Sequence, residues 1–350
     1  MALLELSAPD IRAAIIDNPK TRERDLAARL GISEAQLIAA RTGQGVTRIA
    51  ADPDRLIPAV EALGEVMALT RNESCVHEKV GRYANYHSGE HAAMVLTTEI
   101  DLRIFPSWWV TAFAVEKETE SGLRRSLQVF DAAGDAVHKI HLRDTSDLAA
   151  WERVRTDLAT GETDDTLQVA DRKPPEPPKK REDKREILFD EWARLTDTHQ
   201  FLRLCAKLKM NRLGAYRMPR NPFVRQLGTG VVDAMFQGVR DRGIDFMFFV
   251  GNRGCIQIHS GPINTLKEMG PWQNILDPGF DMHLRRDHIA EVYAVEKPTQ
   301  RRTALSVEAF DAEGTVIFQA FPMARDTNDT RPQWREIVDG LDSVTAEAAE

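Results

Sequence analysis

Two short stretches of this chain, FAVEKET at residues 113–119 and YAVEKPT at residues 293–299, have nearly the same sequence. The similarity extends on both sides, because eleven of the thirty-four residues in the block 101–134 are identical to those found 180 positions later. A sequence that matches itself at a fixed offset indicates a duplicated structural module. Residues that differ between the two copies then become the better candidates for function.

With 350 residues, the chain is long enough to form two hydrophobic cores. We predict a first repeat at residues 1–165, a linker at 166–186 and a second repeat at 187–342. The linker contains PPEPP at residues 174–178, followed by a run of mixed charge. Such composition is typical of an exposed connector with polyproline character.

Each half begins with helical patterns and continues with strand patterns. In the first half, Leu26, Leu30 and Leu37 recur at roughly helical spacing. Short runs rich in β-branched and aromatic residues follow, separated by turn signals such as DAAGD at residues 131–135. Sequential strands joined by short turns favour antiparallel pairing. The predicted fold class is α+β, with two homologous halves that each carry an antiparallel sheet and flanking helices.

The composition also limits the cellular setting. The N-terminus lacks the pattern of a signal peptide, and no apolar stretch is long enough to span a bilayer, so we expect a soluble protein without membrane insertion. The three cysteines have no CxxC spacing, which indicates reduced thiols in the cytoplasm. Cys75 and Cys255 match across the repeat, and we predict that both are buried in the core.

Residues 21–41 also fit a helix-turn-helix pattern. The net charge of −8 argues against a protein that mainly binds nucleic acid. Moreover, Ile38, Ala39 and Ala40 occupy positions where a DNA-reading helix needs polar side chains. A regulator that binds DNA through residues 21–41 is therefore a weak functional hypothesis.

One histidine occurs in the opening helical region of only one half. His199 lies in this region of the second half, whereas its counterpart at an offset of 180 is Pro19. The neighbouring Trp192, Phe201 and Leu202 would suit an axial ligand to a flat aromatic macrocycle. The alternative is a histidine on the helix surface or at its cap, and spacing alone favours that alternative.

Arg103 is a second position where the halves differ, because its counterpart is His283. It stands between Leu102 and Ile104 on an otherwise apolar strand. Such an arginine pairs with a carboxylate, faces a ligand cavity or points into solvent. The sequence leaves these possibilities open.

Several other cations are less specific signals. Lys117 and Lys297 occur in both halves, which favours a shared structural salt bridge or an exposed strand position. Arg212 and Arg325, in the second half, could bind carboxylates or phosphates, although single arginines usually face solvent.

The remaining histidines do not form a metal-binding pattern. His77, His87 and His91 are close in sequence, but no cysteine or carboxylate completes a zinc set at the usual intervals. His138 and His141 are three residues apart and are predicted to point to opposite faces of a strand. The chain also lacks the common phosphate-binding and nucleophile motifs.

Longer segments carry a family resemblance. RNESCVHEKVG at residues 71–81, LTDTHQF at 195–201, GPWQNILDPGF at 270–280 and FQAFPMAR at 318–325 are the main ones. They resemble the hemin-degrading or hemin-transport factors of bacterial haem-uptake systems, over residues 8 to 340. The resemblance implies a cytoplasmic protein of two homologous halves that binds haem b, which is iron protoporphyrin IX.

The resemblance also assigns roles to individual residues. It implies that His199 is the proximal ligand to haem iron, that Arg103 lies on the distal face and that Phe105 packs on the macrocycle edge. It further implies that Arg212, Lys297 and Gln319 line the haem pocket or contact the haem propionates. Phe318, also assigned to the pocket, stands where family members carry tyrosine. The full set of implied haem-binding residues is His199, Arg103, Phe105, Arg212, Lys297, Phe318, Gln319 and Arg325.

Two functions fit this resemblance. The first is a carrier that receives haem from an ABC importer and passes it to a haem oxygenase for degradation and iron release. The alternative is a haem-degrading enzyme that cleaves the macrocycle with electrons from an external donor. The missing hydroxyl at Phe318 favours the carrier. A second, weaker haem site near His77 is left open.

Overall fold

The structure, a computed structural model, describes residues 6–300, 302–325 and 327–344. The chain forms two compact units, described separately below. The first unit comprises residues up to Arg71, His77–Lys173 and Gly251–Gln257, and the second comprises the rest of the chain. Each unit therefore includes a short loop from the other half of the sequence.

The first unit contains five α-helices and nine strands among its described residues. In chain order these are α1 Ala8–Asp17, α2 Glu23–Leu30, α3 Glu34–Ala39, β1 Val46–Ile49, α4 Pro53–Glu61, β2 Glu65–Arg71, β3 Cys75–Arg82, β4 Tyr86–His87, β5 Ala93–Leu96, β6 Asp101–Ile104, β7 Thr111–Thr119, β8 Gly122–Phe130, β9 Ala136–Leu142 and α5 Leu148–Asp157. Strands β1, β7, β8, β9, β2 and β3 are neighbours in that order, and β6, β5 and β4 form a second series.

Helices cover both faces of the main sheet of the first unit. On β7, Phe113 and Val115 join the apolar cluster formed with α1, α2 and α3. Ala112 and Ala114 join the opposite cluster, which contains Trp151 of α5 and residues of α4. A strand buried on both faces has no polar alternation, which explains the nearly continuous apolar run in WWVTAFAVE.

The second unit repeats this arrangement. Its elements are α6 Arg185–Trp192, α7 Gln200–Lys207, α8 Arg212–Tyr216, β10 Val224–Leu227, α9 Val231–Arg242, β11 Phe246–Gly251, β12 Cys255–Gly261, β13 Leu266–Met269, β14 Trp272–Asp277, β15 Phe280–Arg285, β16 Glu291–Pro298, β17 Thr303–Phe310, β18 Val316–Pro322, β19 Ala324–Arg325, β20 Asn328–Asp329 and α10 Arg331–Asp339. Strands β10, β16, β17, β18, β11 and β12 are neighbours in that order, and β15, β14 and β13 form the second series. One apolar cluster includes α9 and α10, and the other includes α6, α7 and α8.

The two sheets match in detail. The antiparallel β8–β9 pair has a register shift between Val129 and Phe130, and the β17–β18 pair has one between Ala309 and Phe310, 180 positions later. Asn72 accepts backbone N–H bonds from residues 74 and 75, as its counterpart in the second half, Asn252, does from residues 254 and 255. The predicted α+β class and internal duplication are therefore confirmed.

The opening helices follow a different offset from the sheets. The left-handed residues that follow α2 and α7 are Gly31 and Lys209, and the N-caps of α3 and α8 are Ser33 and Asn211, so this region has an offset of 178 rather than 180. At this offset the structural counterpart of His199 is Thr21, and the assignment of Pro19 from the ungapped offset was wrong.

Residues 159–181 have no helix or strand and are mostly exposed. They are nevertheless hydrogen-bonded to the folded units. The Ala170 N–H donates to the Ala132 carbonyl at 2.7 Å, and the Lys179 N–H donates to the Asn211 side chain at 2.9 Å. The boundary between the two units falls between residues 173 and 174.

Two further expectations concern buried residues. Cys75, Cys205 and Cys255 are all buried thiols that form no disulfide, so the predicted core positions of Cys75 and Cys255 are confirmed. Helix α3, the reading helix of the helix-turn-helix hypothesis, is largely buried, including Leu37 and Ile38.

Within the described ranges, no helix has the length and apolar character needed to cross a membrane.

Candidate functional site

His199 is a highly exposed residue at the start of α7. It occupies the N-cap position without a side-chain capping bond, and its side chain is 88 % exposed. This is the exposed position at the helix cap that the sequence favoured, although the side chain itself makes no capping bond. The ring is available to an external ligand.

Asp197 fixes the orientation of this imidazole. One Asp197 carboxylate oxygen accepts the His199 backbone N–H at 2.7 Å and also lies 2.7 Å from His199 Nδ1. These two contacts lower the pKa of Asp197, so its carboxylate is ionised and requires a proton on Nδ1. In the neutral ring, Nε2 then carries the lone pair, and such an oriented imidazole is a common metal ligand.

The aromatic residues close to His199 in sequence have different environments. Trp192 and Phe201 are fully buried, with ring centroids 4.4 Å apart, and they belong to the core beneath α7. Leu202 is half exposed on the same helix as His199. Trp192 and Phe201 therefore anchor α7, whereas Leu202 provides apolar surface one turn from the imidazole.

A buried charged network lies against the same core. Lys297 Nζ donates to Glu308 Oε1 at 2.8 Å and to the Tyr216 hydroxyl at 2.7 Å. Tyr216 and Ser306 also donate to the Glu308 carboxylate, at 3.0 and 2.9 Å. Arg212 is 3.5 Å from the other carboxylate oxygen.

Electrostatics keep this network ionised. Burial favours a raised pKa for Glu308, but Lys297 and Arg212 outweigh it and hold the pKa at about 2. Burial lowers the pKa of Lys297, and the adjacent Glu308 opposes that shift. Lys297 Nζ also lies 5.0 Å from the centre of the Phe201 ring, so the network contacts the helix that carries His199. Both lysines are ion-paired, Lys297 with Glu308 and Lys117 with Glu23 at 3.1 Å, but these partners are not equivalent, so the predicted salt bridge is not shared by the two halves.

Gln319 belongs to the same sheet face as this network. It is the direct cross-strand partner of Glu308 in the β17–β18 pair, and such partners project to the same side. The next residue back, Phe318, packs with Phe236 and Phe248 in the opposite apolar cluster. A ligand on the Gln319 side is therefore separated from the Phe318 ring by the sheet backbone.

The other predicted residues lie elsewhere. Arg325 is exposed on the short β19–β20 hairpin of the second unit. Arg103 and Phe105 are in the first unit, at and just after β6, and both are half-buried. Arg103 is ion-paired with Asp101. Pairing with a carboxylate was one of the three alternatives that the sequence left open.

The remaining histidines form no metal centre. His77 is fully buried, so a haem at this position would require the core to open. The rings of His138 and His141 have different environments. His138 stacks on Trp109, whereas His141 lies near the charges of Lys139 and Glu23. Across residues 6–300, 302–325 and 327–344, no cluster of three or more histidine, cysteine or acidic side chains could hold a metal ion.

The comparison with known families agrees with this organisation. The family model described as the haemin-degrading HemS.ChuX domain matches twice, at residues 31–158 and 209–341. The chain belongs to this haemin-degrading HemS/ChuX family. Its two matches include the main sheet of each unit, and they begin after α2 and after α7.

Relatives in the HemS/ChuX family cover nearly the whole chain. The hemin transport protein HemS of Yersinia enterocolitica is 36% identical over 328 residues, which are 93% of this chain and 94% of that protein. The crystal structure of holo-PhuS, a heme-binding protein from Pseudomonas aeruginosa, has a TM-score of 0.91 at 37% identity, covering 97% of this chain and 100% of that one. ChuS, described as an E. coli heme oxygenase, has a TM-score of 0.85 at 30% identity, with 95% and 99% covered.

Three residues of the candidate site were missed in the sequence. Glu308 interrupts the apolar run TALSVEAF, and its counterpart in the first half is the neutral Gln128. A charged residue on a buried strand of only one half could have been recognised from the sequence as a functional candidate. Asp197 could have been found two residues before His199, whereas Tyr216 had no local signal because its partner Glu308 is 92 positions away.

Proposed function

We propose that this protein binds haem b with His199 as the axial ligand to iron. The observation that carries the proposal is the exposed His199 ring, whose Nδ1 is hydrogen-bonded to Asp197. This donor set suits haem, because a single neutral imidazole is a usual axial ligand whereas a structural zinc site needs four ligands. When bound, haem supplies an iron centre capable of redox chemistry.

The propionates of haem need cationic partners. Arg212 and Lys297 are cations on the same core as α7, and Gln319 lies on the same sheet face. A guanidinium has five donors, and the 3.5 Å contact of Arg212 with Glu308 engages one of them. We propose that Arg212 meets a propionate, while Lys297 and Gln319 line the pocket. The contributions of Phe105, Phe318 and Arg325 stay predictions.

We propose that the protein acts in the cytoplasm as a haem carrier in iron acquisition. It would receive haem delivered by an ABC importer and transfer it to a haem oxygenase. An exposed single ligand supports this role, because a carrier must release its cargo. The name of the HemS relative, a hemin transport protein, points the same way.

The second candidate is a haem-degrading enzyme. The likeness to ChuS, described as a heme oxygenase, favours it. In that case Arg103 would act on the distal side of the iron, and an external reductant would supply electrons. The assignment of Arg103 to the distal side stays a prediction in both functions.

One experiment distinguishes the two functions. The hemin-loaded protein is exposed to ascorbate in air, with catalase present to remove free peroxide, while the Soret band and iron release are recorded. A carrier keeps its spectrum until a haem oxygenase and its reductase are added, after which the Soret band decays. Loss of the band with iron release before that addition would identify the enzyme.

A further inference from the structure

The first unit contains a cavity of about 560 Å³ that the haem proposal does not use. It lies against α1, α2, α3 and the end of the β7–β8 hairpin. This volume falls within the range of small-molecule sites, about 300–1,000 Å³. Part of its wall is apolar, formed by Ile15, Pro19, Leu26, Leu37 and Leu123.

The polar part of the wall contains an ion pair. Lys117 Nζ lies 3.1 Å from Glu23 Oε1, and the Lys117 side chain is about one-third exposed. Arg41 also lines the cavity and donates to the Glu116 backbone carbonyl at 2.9 Å. An ammonium has three N–H donors and a guanidinium has five, so both cations have donors beyond these contacts.

The local charge balance favours an anion. Glu116 and Glu118 also line the cavity, but they alternate with Lys117 along β7, so their side chains project to the opposite face of the sheet. On that face the Glu116 carboxylate accepts from Arg125 and from the Trp151 indole, at 2.8 and 3.2 Å. Burial raises the pKa of Glu23, but nearby Lys139, Lys117 and Arg41 outweigh it and lower that pKa. Three cations therefore surround this carboxylate, and one of them, Lys139, is ion-paired with Glu34.

A difference between the halves explains why Lys117 faces the cavity. In the second unit, Lys297 pairs with Glu308 on the neighbouring strand and is only 7% exposed. The residue equivalent to Glu308 in the first half is Gln128, which carries no charge. Lys117 instead pairs with Glu23 of helix α2, and its ammonium lies at the cavity wall.

The lining chemistry argues against a second haem site. None of the described residues that line the cavity is a histidine, cysteine, methionine or tyrosine, the usual protein ligands of haem iron. Apolar side chains beside two cations instead suit a molecule with an apolar body and one negative group.

We propose that this cavity binds an amphipathic organic carboxylate that contains no metal. The carboxylate would contact Lys117 and Arg41, and the apolar chain would lie against Leu26 and Leu37. A medium-chain fatty acid has this chemistry. The site is separate from the haem proposal, because every residue that defines it belongs to the first unit and none is assigned to haem.

The test is calorimetric titration of the full-length protein with decanoate, below the concentration at which decanoate forms micelles. We expect one decanoate per chain, and at least about tenfold weaker binding of decylamine, because a cationic head group is repelled by Lys117 and Arg41. Lys117→Met should weaken decanoate binding about tenfold. The matched control, Lys180→Met, removes an exposed lysine paired with Glu182 and should leave the affinity within about twofold.

A second variant protects the test against misfolding of Lys117→Met. Leu123 lines the cavity and is 39% exposed, so Leu123→Asp adds a negative charge near the ligand without opening the core. It should also weaken decanoate binding. Absence of decanoate binding, tighter binding of decylamine, or equal affinities in wild type and both cavity variants would overturn the proposal. Competition between decanoate and one equivalent of hemin would overturn the separate location and leave the His199 assignment intact.

Discussion

The Nδ1 atom of His199 lies 2.7 Å from a carboxylate oxygen of Asp197, and the same oxygen accepts the His199 backbone N–H. The short segment between α6 and α7 therefore sets both the direction and the tautomer of the imidazole. Metal-binding histidines commonly depend on such a partner. The pair explains how a largely exposed ring can still present Nε2 in a defined direction.

Removing this partner should weaken haem binding. We expect Asp197→Ala to lower hemin affinity about ten- to a hundredfold, because the ring loses its orienting acceptor. Asp197 is more than half exposed, so the free energy of unfolding should change by about 0.5 kcal/mol or less. Hemin titration and urea unfolding measure the two effects, and Asp197→Asn, which retains an acceptor oxygen, should lose less affinity. Unchanged affinity in the alanine variant would remove Asp197 from the site.

Arg103→Ala tests the predicted distal role. If Arg103 acts on the iron, the variant should still bind hemin through His199, but its absorption spectrum and its rate of haem transfer should change. Arg103 is ion-paired with Asp101, so Asp101→Asn is the comparison that perturbs the pair without removing the guanidinium. A spectrum and a transfer rate identical to those of wild type would count against the distal assignment.

Glu308→Gln should destabilise the second unit strongly. The substitution leaves Lys297 buried without its counter-ion, and breaking a buried pair in this way costs about 3–5 kcal/mol. The control, Glu182→Gln, breaks an exposed pair with Lys180 and should cost about 1 kcal/mol or less. Urea unfolding at neutral pH compares them. Equal unfolding free energies in the two variants would show that the buried network contributes no more than a surface pair.

Glu308 also makes stability depend on acidity. Its pKa in the folded protein is about 2, below the value of about 4.3 for an unperturbed glutamate. Stability from its ionised form is therefore complete above the unfolded pKa and is lost as the pH falls towards 2. Wild-type unfolding free energy should fall more steeply than that of Glu308→Gln between about pH 5 and 2, and parallel curves would exclude this contribution.

We expect His138 to make the stability of the first unit depend on pH as well. Its ring lies 2.8 Å from the Thr70 hydroxyl and 2.6 Å from the Tyr83 hydroxyl, and burial lowers its pKa to about 3. In the unfolded chain the histidine has a pKa of about 6.5, whereas in the folded protein the pKa of His138 is about 3. Between these values the unfolded state binds a proton that the folded state does not, so the free energy of unfolding decreases as the pH falls through this range. His138→Phe, which copies the counterpart residue Phe318, should reduce the slope by about 1.4 kcal/mol per pH unit between pH 6 and 4. An NMR titration showing His138 protonated at pH 5 would contradict the account.

Local sequence patterns predicted the sheets better than the helices. The duplicated strands are apolar on both faces and retain an offset of 180, so their positions were visible. Helices α4 and α9 were not predicted, since Pro58 lies inside α4 and Gly238 inside α9. A Cβ atom at Gly238 would lie 3.0 Å from Ile337, so this glycine permits close packing of α9 on α10. That requirement arises from tertiary contact and leaves no periodic signal.

The candidate site shows the same limit. His199 was identifiable because the first half has no histidine in its opening helices. Its structural counterpart was not, because an ungapped comparison does not detect a two-residue shift of the opening helices relative to the sheets. The environment of Lys297 was hidden as well, since Tyr216 is 81 residues away and the strand pattern alone could not bring it to the ammonium.

The most direct test of the central claim is titration of the purified protein with hemin, wild type beside His199→Ala, while the Soret band is recorded. We predict that wild type binds one hemin with a histidine-ligated spectrum, and that His199→Ala binds much more weakly with an altered band. An identical spectrum and affinity in the two proteins, or no Soret shift in wild type, would contradict the assignment of His199 as the haem ligand.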